Sequence, residues 1–199
     1  MCIRDRLNGV GWRGSDLRPG YYVGTTAGVP RLGIPSLKMQ DAGQGFRTGG
    51  WSPALAARVV GEVTSWSCAL GLASSWNASL VGAWARAAAR EFRAKGANAV
   101  LGPGVNVHRV ARGGRNAEYL SGEEPFLGAR LAAPYVAGFR AEGVLTVMKH
   151  FALNNQETLR DWTNALVDAR TLFEVYYDCL LYTSPSPRDR TRSRMPSSA

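Results

Sequence analysis

The chain has 199 residues, 45% hydrophobic and 20% charged, a balance that supports one globular domain with a real core. No stretch approaches the roughly 18 consecutive apolar residues of a membrane-spanning helix. The formal charge of +9 raises nucleic acid as a partner, but the two ends carry four of those nine charges and no Lys/Arg-rich helix interleaved with aromatics lies between them, so nucleic-acid binding is not expected. Residues 1–6 (MCIRDR) and 179–199 (with LLYTSPSPRDR at its head) resemble translated sequencing-adapter read-through. They are expected to be a non-native leader and a disordered non-native tail, which leaves 7–178 as the folded part. Setting them aside removes Cys2 and Cys179, and Cys68 alone supports neither a disulfide framework nor a Cys-based metal site. No basic start followed by an apolar run opens the chain, so no secretory signal is expected in it, and localisation stays open.

In chain order, 7–36 is Gly/Pro-rich and reads as loops and turns with one short strand. Residues 36–40 (SLKMQ) predict a strand, ended by the turn-formers Asp41 to Gly45. The spacing over 53–65 predicts a short amphipathic helix. The apolar run 67–74 (SCALGLAS) predicts a buried strand, with Cys68 inside it. Asn77 or Ser79 caps a long helix over 80–95, which Gly96 ends. Residues 98–107 predict another strand. Glu124-Pro125 opens a third helix, with Leu127, Leu131, Tyr135 and Phe139 on its buried stripe and Gly143 as its stop. Residues 144–149 predict a strand, 164–167 a weaker one, and Asp168 caps a last helix over 169–177. Alternating strands and helices imply a parallel sheet with helices outside, either doubly wound or a (β/α)₈ barrel. Both layouts place chemistry at the carboxyl ends of strands.

Polar clusters do follow the apolar strands, and both histidines of the chain lie in one window, 105–157. Gly102-Pro-Gly104 matches neither a dinucleotide fingerprint nor a P-loop, and reads as a kinked strand end. The sequon Asn77-Ala-Ser79 is explained as well by a helix cap. His108 and His150 with Glu118 or Glu157 lack metal-motif spacing, and no G-x-S-x-G elbow is present. Lys149-His150 ends a strand, and both side chains can reach one ligand only where the strand twists into its loop. Asp41, Arg115, Asn116, Glu118, Lys149 and His150 together mix donors and acceptors, which suits a neutral ligand with many hydroxyls; a phosphate site would favour donors alone.

Six stretches carry a family likeness: LGIPSLKMQDAGQGFR (32–47), TSWSCALGLASSWN (64–77), EFRAKGANAVLGPGVNVHRV (91–110), GGRNAEYLSGEEPFLGARL (113–131), GVLTVMKHFALNNQET (143–158) and VDARTLFEVYY (167–177). In this order they resemble the N-terminal domain of glycoside hydrolase family 3, the β-glucosidase-like family. The resemblance implies a partial (β/α)₈ (TIM) barrel, roughly its first half, and a retaining hydrolase of O-glycosidic bonds in polysaccharide breakdown. It assigns Asp41, Arg115, Lys149 and His150 to the substrate, a terminal β-glucoside, and Arg47, Glu118 and Glu157 to ordering those groups. Ala42-Gly43 replaces the family's usual Gly-Pro after the aspartate, which alters the turn more than the carboxylate. The resemblance implies no metal or organic cofactor, no nucleic acid and no membrane; oligomeric state is left open. It places the nucleophile, an aspartate in a Ser-Asp-Trp type motif, and the acid/base glutamate beyond Tyr177. Asp161-Trp162 sits in a different context, RDWTNALVD. The chain alone is therefore expected to be inactive and poorly folded, with sheet edges and helix faces left unpaired. The alternative is a non-catalytic carbohydrate-binding module.

Overall fold

The computed structural model describes residues 22–41, 44–47 and 61–181. Its sheet has four strands in the order of the chain: β1 (Gly24–Thr25), β2 (Lys38–Asp41), β3 (Ala99–Leu101) and β4 (Leu145–Thr146). β1 pairs antiparallel with β2; β2, β3 and β4 run parallel, with Met39 opposite Ala99 and Ala99 opposite Leu145. Between β2 and β3 come α1 (Ala69–Ala73) and α2 (Ala78–Ala94), and between β3 and β4 comes α3 (Pro125–Ala141). The parallel strands β2, β3 and β4, joined by helices and adjacent in chain order, make one arc of a (β/α)₈ barrel.

The long helices form where their caps and apolar spacing dictate. Asn77 Oδ1 accepts from Leu80 N at 3.0 Å, so the helix-cap reading of the sequon accounts for this residue. Val81, Trp84, Ala85, Ala88 and Phe92 then face inward. Glu124 caps α3, with Pro125 in its first turn where a missing N–H costs nothing. The two helices cross through small residues: a Cβ on Gly138 would lie 2.6 Å from Ala85 Cβ and 2.9 Å from Gly82 O. Phe92, Tyr135 and Phe139 pack beneath this crossing, Tyr135 and Phe139 stacked with ring centroids 4.8 Å apart.

Three expected elements come out differently. Residues 67–74 hold the helix α1 and not a strand: Ala-Leu-Gly-Leu-Ala lacks β-branched residues, and Cys68 serves as its N-cap, Sγ accepting from Gly71 N at 3.4 Å. Residues 164–167 form no strand, because no ladder reaches them and Leu166 stays 88% exposed. Of the helix expected over 53–65, residues 53–60 lie outside the described residues, and 61–65 are not helical. At the C-terminal side, Asp168 caps α4 (Ala169–Thr171), which passes through a π-helical stretch (Leu172–Tyr176) into α5 (Asp178–Leu181). The boundary expected between 178 and 179 falls inside α5. Cys179 and Leu180 are buried against Val105, Val107, Ala129 and Ala132, so the packed part continues past it. Residues 182–199 lie outside the described residues.

Candidate functional site

The chain just beyond β3 joins the later segments of the site. Gly104 bridges in parallel to Tyr119 on one side and to Lys149 on the other. A Cβ on Gly104 would stand 2.7 Å from Glu118 O, so only glycine admits this approach. The 3₁₀ turn Asn116–Glu118 and the end of β4 are thereby brought together, with Asp41 at the end of β2 beside them. All the carboxyl ends of these parallel strands face one side, as sheet geometry requires of a barrel.

What assembles there is a chain of alternating charges. Arg47 donates to Asp41 Oδ2 at 2.7 Å, and Lys149 Nζ reaches Asp41 Oδ1 at 2.7 Å and Glu118 Oε2 at 3.1 Å. Arg115 Nε pairs with Glu118 Oε1, and its Nη1 donates to Glu157 Oε1 at 3.2 Å. Arg160 closes the row on Glu157 Oε2 at 3.1 Å. Burial works against the charge of Arg115, but the hydrogen bond and charge of Glu118 outweigh it and raise its pKa. Cations and anions nearly cancel along the row. Such a wall offers donors and acceptors together without a field that favours either ion sign.

A polar cavity of about 780 Å³ opens over this row, lined among others by Asp41, Arg47, Arg115, Glu118, Glu157 and Arg160. Asp41 and Arg115 line this cavity, and so do Arg47, Glu118 and Glu157. Lys149 and His150 are not among the lining residues; Lys149 holds Asp41 and Glu118 from behind, and His150 holds Arg115. The reason is physical: a lysine only 12% exposed must spend its donors on carboxylates.

His150 illustrates how tightly this inner layer is tied. Its backbone N–H donates to Asn106 Oδ1 at 2.7 Å, and Asn106 Nδ2 donates to Asn154 O at 3.0 Å. Its ring contacts Arg115 Nη2 through Nε2 at 3.0 Å and Tyr119 Oη through Nδ1 at 3.3 Å. Burial, then the charges of Arg115 and Lys149, push its pKa down to about 4. The peptide joining Lys149 and His150 is cis. His108 stands apart, its ring 6.0 Å from that of Tyr119, and burial lowers its pKa as well. Among the described residues no three His, Cys, Asp or Glu side chains gather as metal ligands would.

Sequence reasoning did not single out Asn106, Tyr119 or Arg160. Tyr119 lies inside the run GGRNAEYLSGE, and Arg160 stands three residues after Glu157, a spacing that favours an ion pair on a helical turn. Asn106 carries no such local signal, because its partners lie 44 and 48 residues away. A second cavity, about 460 Å³, lies between Arg109, Val110, Leu166, Val167 and Tyr176. Its one carboxylate, Asp168, is the cap of α4.

Comparison with known proteins agrees with this picture. The model of the glycosyl hydrolase family 3 N-terminal domain matches residues 31–176. A β-glucosidase of Bacteroides ovatus is 38% identical over 154 residues, which cover 76% of this chain and 20% of the relative. Thermostable β-glucosidase B of Acetivibrio thermocellus is 42% identical over 154 residues, with the same coverage of 76% and 20%. An exo-α-(1→6)-L-arabinopyranosidase of Bifidobacterium longum is 40% identical over 152 residues, 75% of this chain and 20% of the relative. Among solved structures, β-glucosidase 3B of Thermotoga neapolitana in complex with glucose superposes with a TM-score of 0.76 at 30% identity, over 92% of this chain and 26% of that one. A β-glucosidase of Streptomyces venezuelae in complex with D-glucose gives a TM-score of 0.72 at 36% identity, over 82% and 20%. The chain thus spans about a fifth of the length of the curated relatives it matches. Its fold is a partial barrel of the same kind, and the chain belongs to glycosyl hydrolase family 3, within the N-terminal domain of that family.

Proposed function

We propose that this chain carries the sugar-binding wall of a β-glucosidase-type hydrolase that cleaves O-glycosidic bonds with retention. The single observation behind this is the near-neutral row from Arg47 to Arg160 under one polar cavity. A glucosyl residue presents hydroxyls that both donate and accept, and such a row answers both. Asp41, a carboxylate in the cavity wall, accepts from sugar hydroxyls while Arg115 beside it donates to them. Contacts of this kind aid the reaction by tightening in the transition state.

Retention requires two carboxyl groups about 5–5.5 Å apart, one attacking carbon and one exchanging a proton with the leaving oxygen. Glu118 and Glu157 are poor choices for either task. Glu118 has one oxygen on Arg115 and the other on Lys149; Glu157 has one on Arg115 and the other on Arg160. In keeping with this, the resemblance to the family assigns the nucleophile and the acid/base to positions beyond Tyr177, so that the chain alone binds but does not hydrolyse. The names of the relatives support glucose as the sugar, while the arabinopyranosidase among them makes the pyranose ring, and not its 6-hydroxymethyl group, the common element. The test is paired. The purified chain is expected to bind D-glucose and to release no phenol from an aryl β-glucoside. Turnover by the chain would overturn the assignment of the missing carboxylates, and failure to bind glucose would overturn the binding wall.

A further inference from the structure

We infer that Tyr119 is a positioning residue: it takes the ring N–H of His150, fixing the imidazole so that its other nitrogen receives Arg115. The argument starts from an inventory of protons. A guanidinium has five N–H donors and no acceptor. Arg115 Nη2 lies 3.0 Å from His150 Nε2, so Nε2 must present its lone pair. The single proton of a neutral imidazole then sits on Nδ1, which lies 3.3 Å from Tyr119 Oη. Tyr119 is the acceptor there, and its own hydroxyl proton turns to Asn154 O at 3.5 Å. The opposite assignment would set an Nε2–H against an Arg115 N–H at hydrogen-bond distance, two donors with nothing to accept.

The direction of this relay is held from both ends. Asn154 O also receives Asn106 Nδ2, and Asn106 Oδ1 receives the His150 backbone N–H, so the ring and the last acceptor are anchored to one side chain. Tyr119 is 2% exposed, its ring edge-on to His150 at 81°. The charged groups that act on His150 are Arg115, Lys149, Glu118 and Asp41. Burial and the two cations disfavour a second proton on the ring, which keeps one nitrogen free for Arg115. Tyr119 thus acts on the cavity wall through His150. Its consequence for sugar affinity rests on the binding reading above; the tautomer itself does not.

The experiment is long-range ¹H–¹⁵N correlation on the full labelled chain, which has two histidines, assigned with a His108→Gln variant. At pH 7, His150 is expected to show a protonated Nδ1 and an unprotonated Nε2, and to stay neutral at pH 5. In Tyr119→Phe the Nδ1–H loses its acceptor. The Nε2–H population should rise several-fold, and D-glucose affinity should fall by about tenfold, the size expected when one buried partner is removed. A protonated Nε2 or a charged ring in the unmodified chain at pH 7 overturns the inference, whatever the variant does. An unchanged tautomer in a folded Tyr119→Phe chain overturns the role of the hydroxyl. If the tautomer responds as stated but neither chain binds glucose, the relay stands and the sugar-binding reading fails. Glucose binding with the wrong tautomer has the reverse meaning.

Discussion

Replacing Lys149 by methionine removes the cation on which two carboxylates of the site converge. Lys149 Nζ sits 2.7 Å from Asp41 and 3.1 Å from Glu118, with 12% of its side chain exposed against 20% and 14% for its partners. Breaking a buried pair by removing one member costs about 3–5 kcal/mol, because the other charge is left without compensation. Two features lower that figure here. Asp41 keeps Arg47, and Glu118 keeps Arg115. Arg47 is 67% exposed, however, so its pairing recovers little. Lys149→Met should therefore lose about 2–3 kcal/mol at pH 7, read as a shift of the urea midpoint at unchanged slope. A loss below about 0.5 kcal/mol would refute the claim that Lys149 holds this layer together.

His150 gives a pH effect of its own. Its folded pKa of about 4 lies below the ordinary 6.5, so between those values the unfolded chain takes up a proton that the folded chain refuses. Stability from this group is complete above pH 6.5 and drains away toward pH 4, by about 1–2 kcal/mol after allowance for partial exposure; His150→Gln should flatten that part of the curve. At the helix crossing, Gly138→Ala places a methyl 2.6 Å from Ala85 Cβ and 2.9 Å from Gly82 O. Overpacking of this kind costs about 1–3 kcal/mol and exceeds the helix propensity gained, so Tm should fall by about 2–8 °C in a thermal scan.

Local rules made the helices legible. Asn77, Glu124 and Asp168 are caps in the sequence and caps in the structure, and the apolar spacing of α2 and α3 matches their buried faces. The strand expected over 67–74 failed because a short apolar run is ambiguous; its Ala and Leu residues favour a helix once Cys68 can cap it. The residues of the site were legible as a group, since polar clusters after parallel strands must converge at one end of the sheet. Which of them pair with which was not. Lys149 reaches Asp41 across 108 positions and Arg115 reaches Glu157 across 42, and only the paired strands fix which side chain stands in front. Gly104 decides this by letting Glu118 and Lys149 approach from both sides, a role that its sequence context, a Gly-Pro-Gly turn, did not disclose.

The most direct measurement is a D-glucose titration of the chain beside its Asp41→Asn variant, followed through the His150 ring signals. Asp41 lies at the head of the row and in the wall of the cavity. Hydrogen bonds to a charged acceptor contribute about 1.5–3 kcal/mol, so the variant should bind glucose more than about tenfold more weakly while its fold is retained. Equal glucose affinity in the two chains, or saturation of neither at high millimolar sugar, would contradict the assignment of this cavity as the sugar-binding wall.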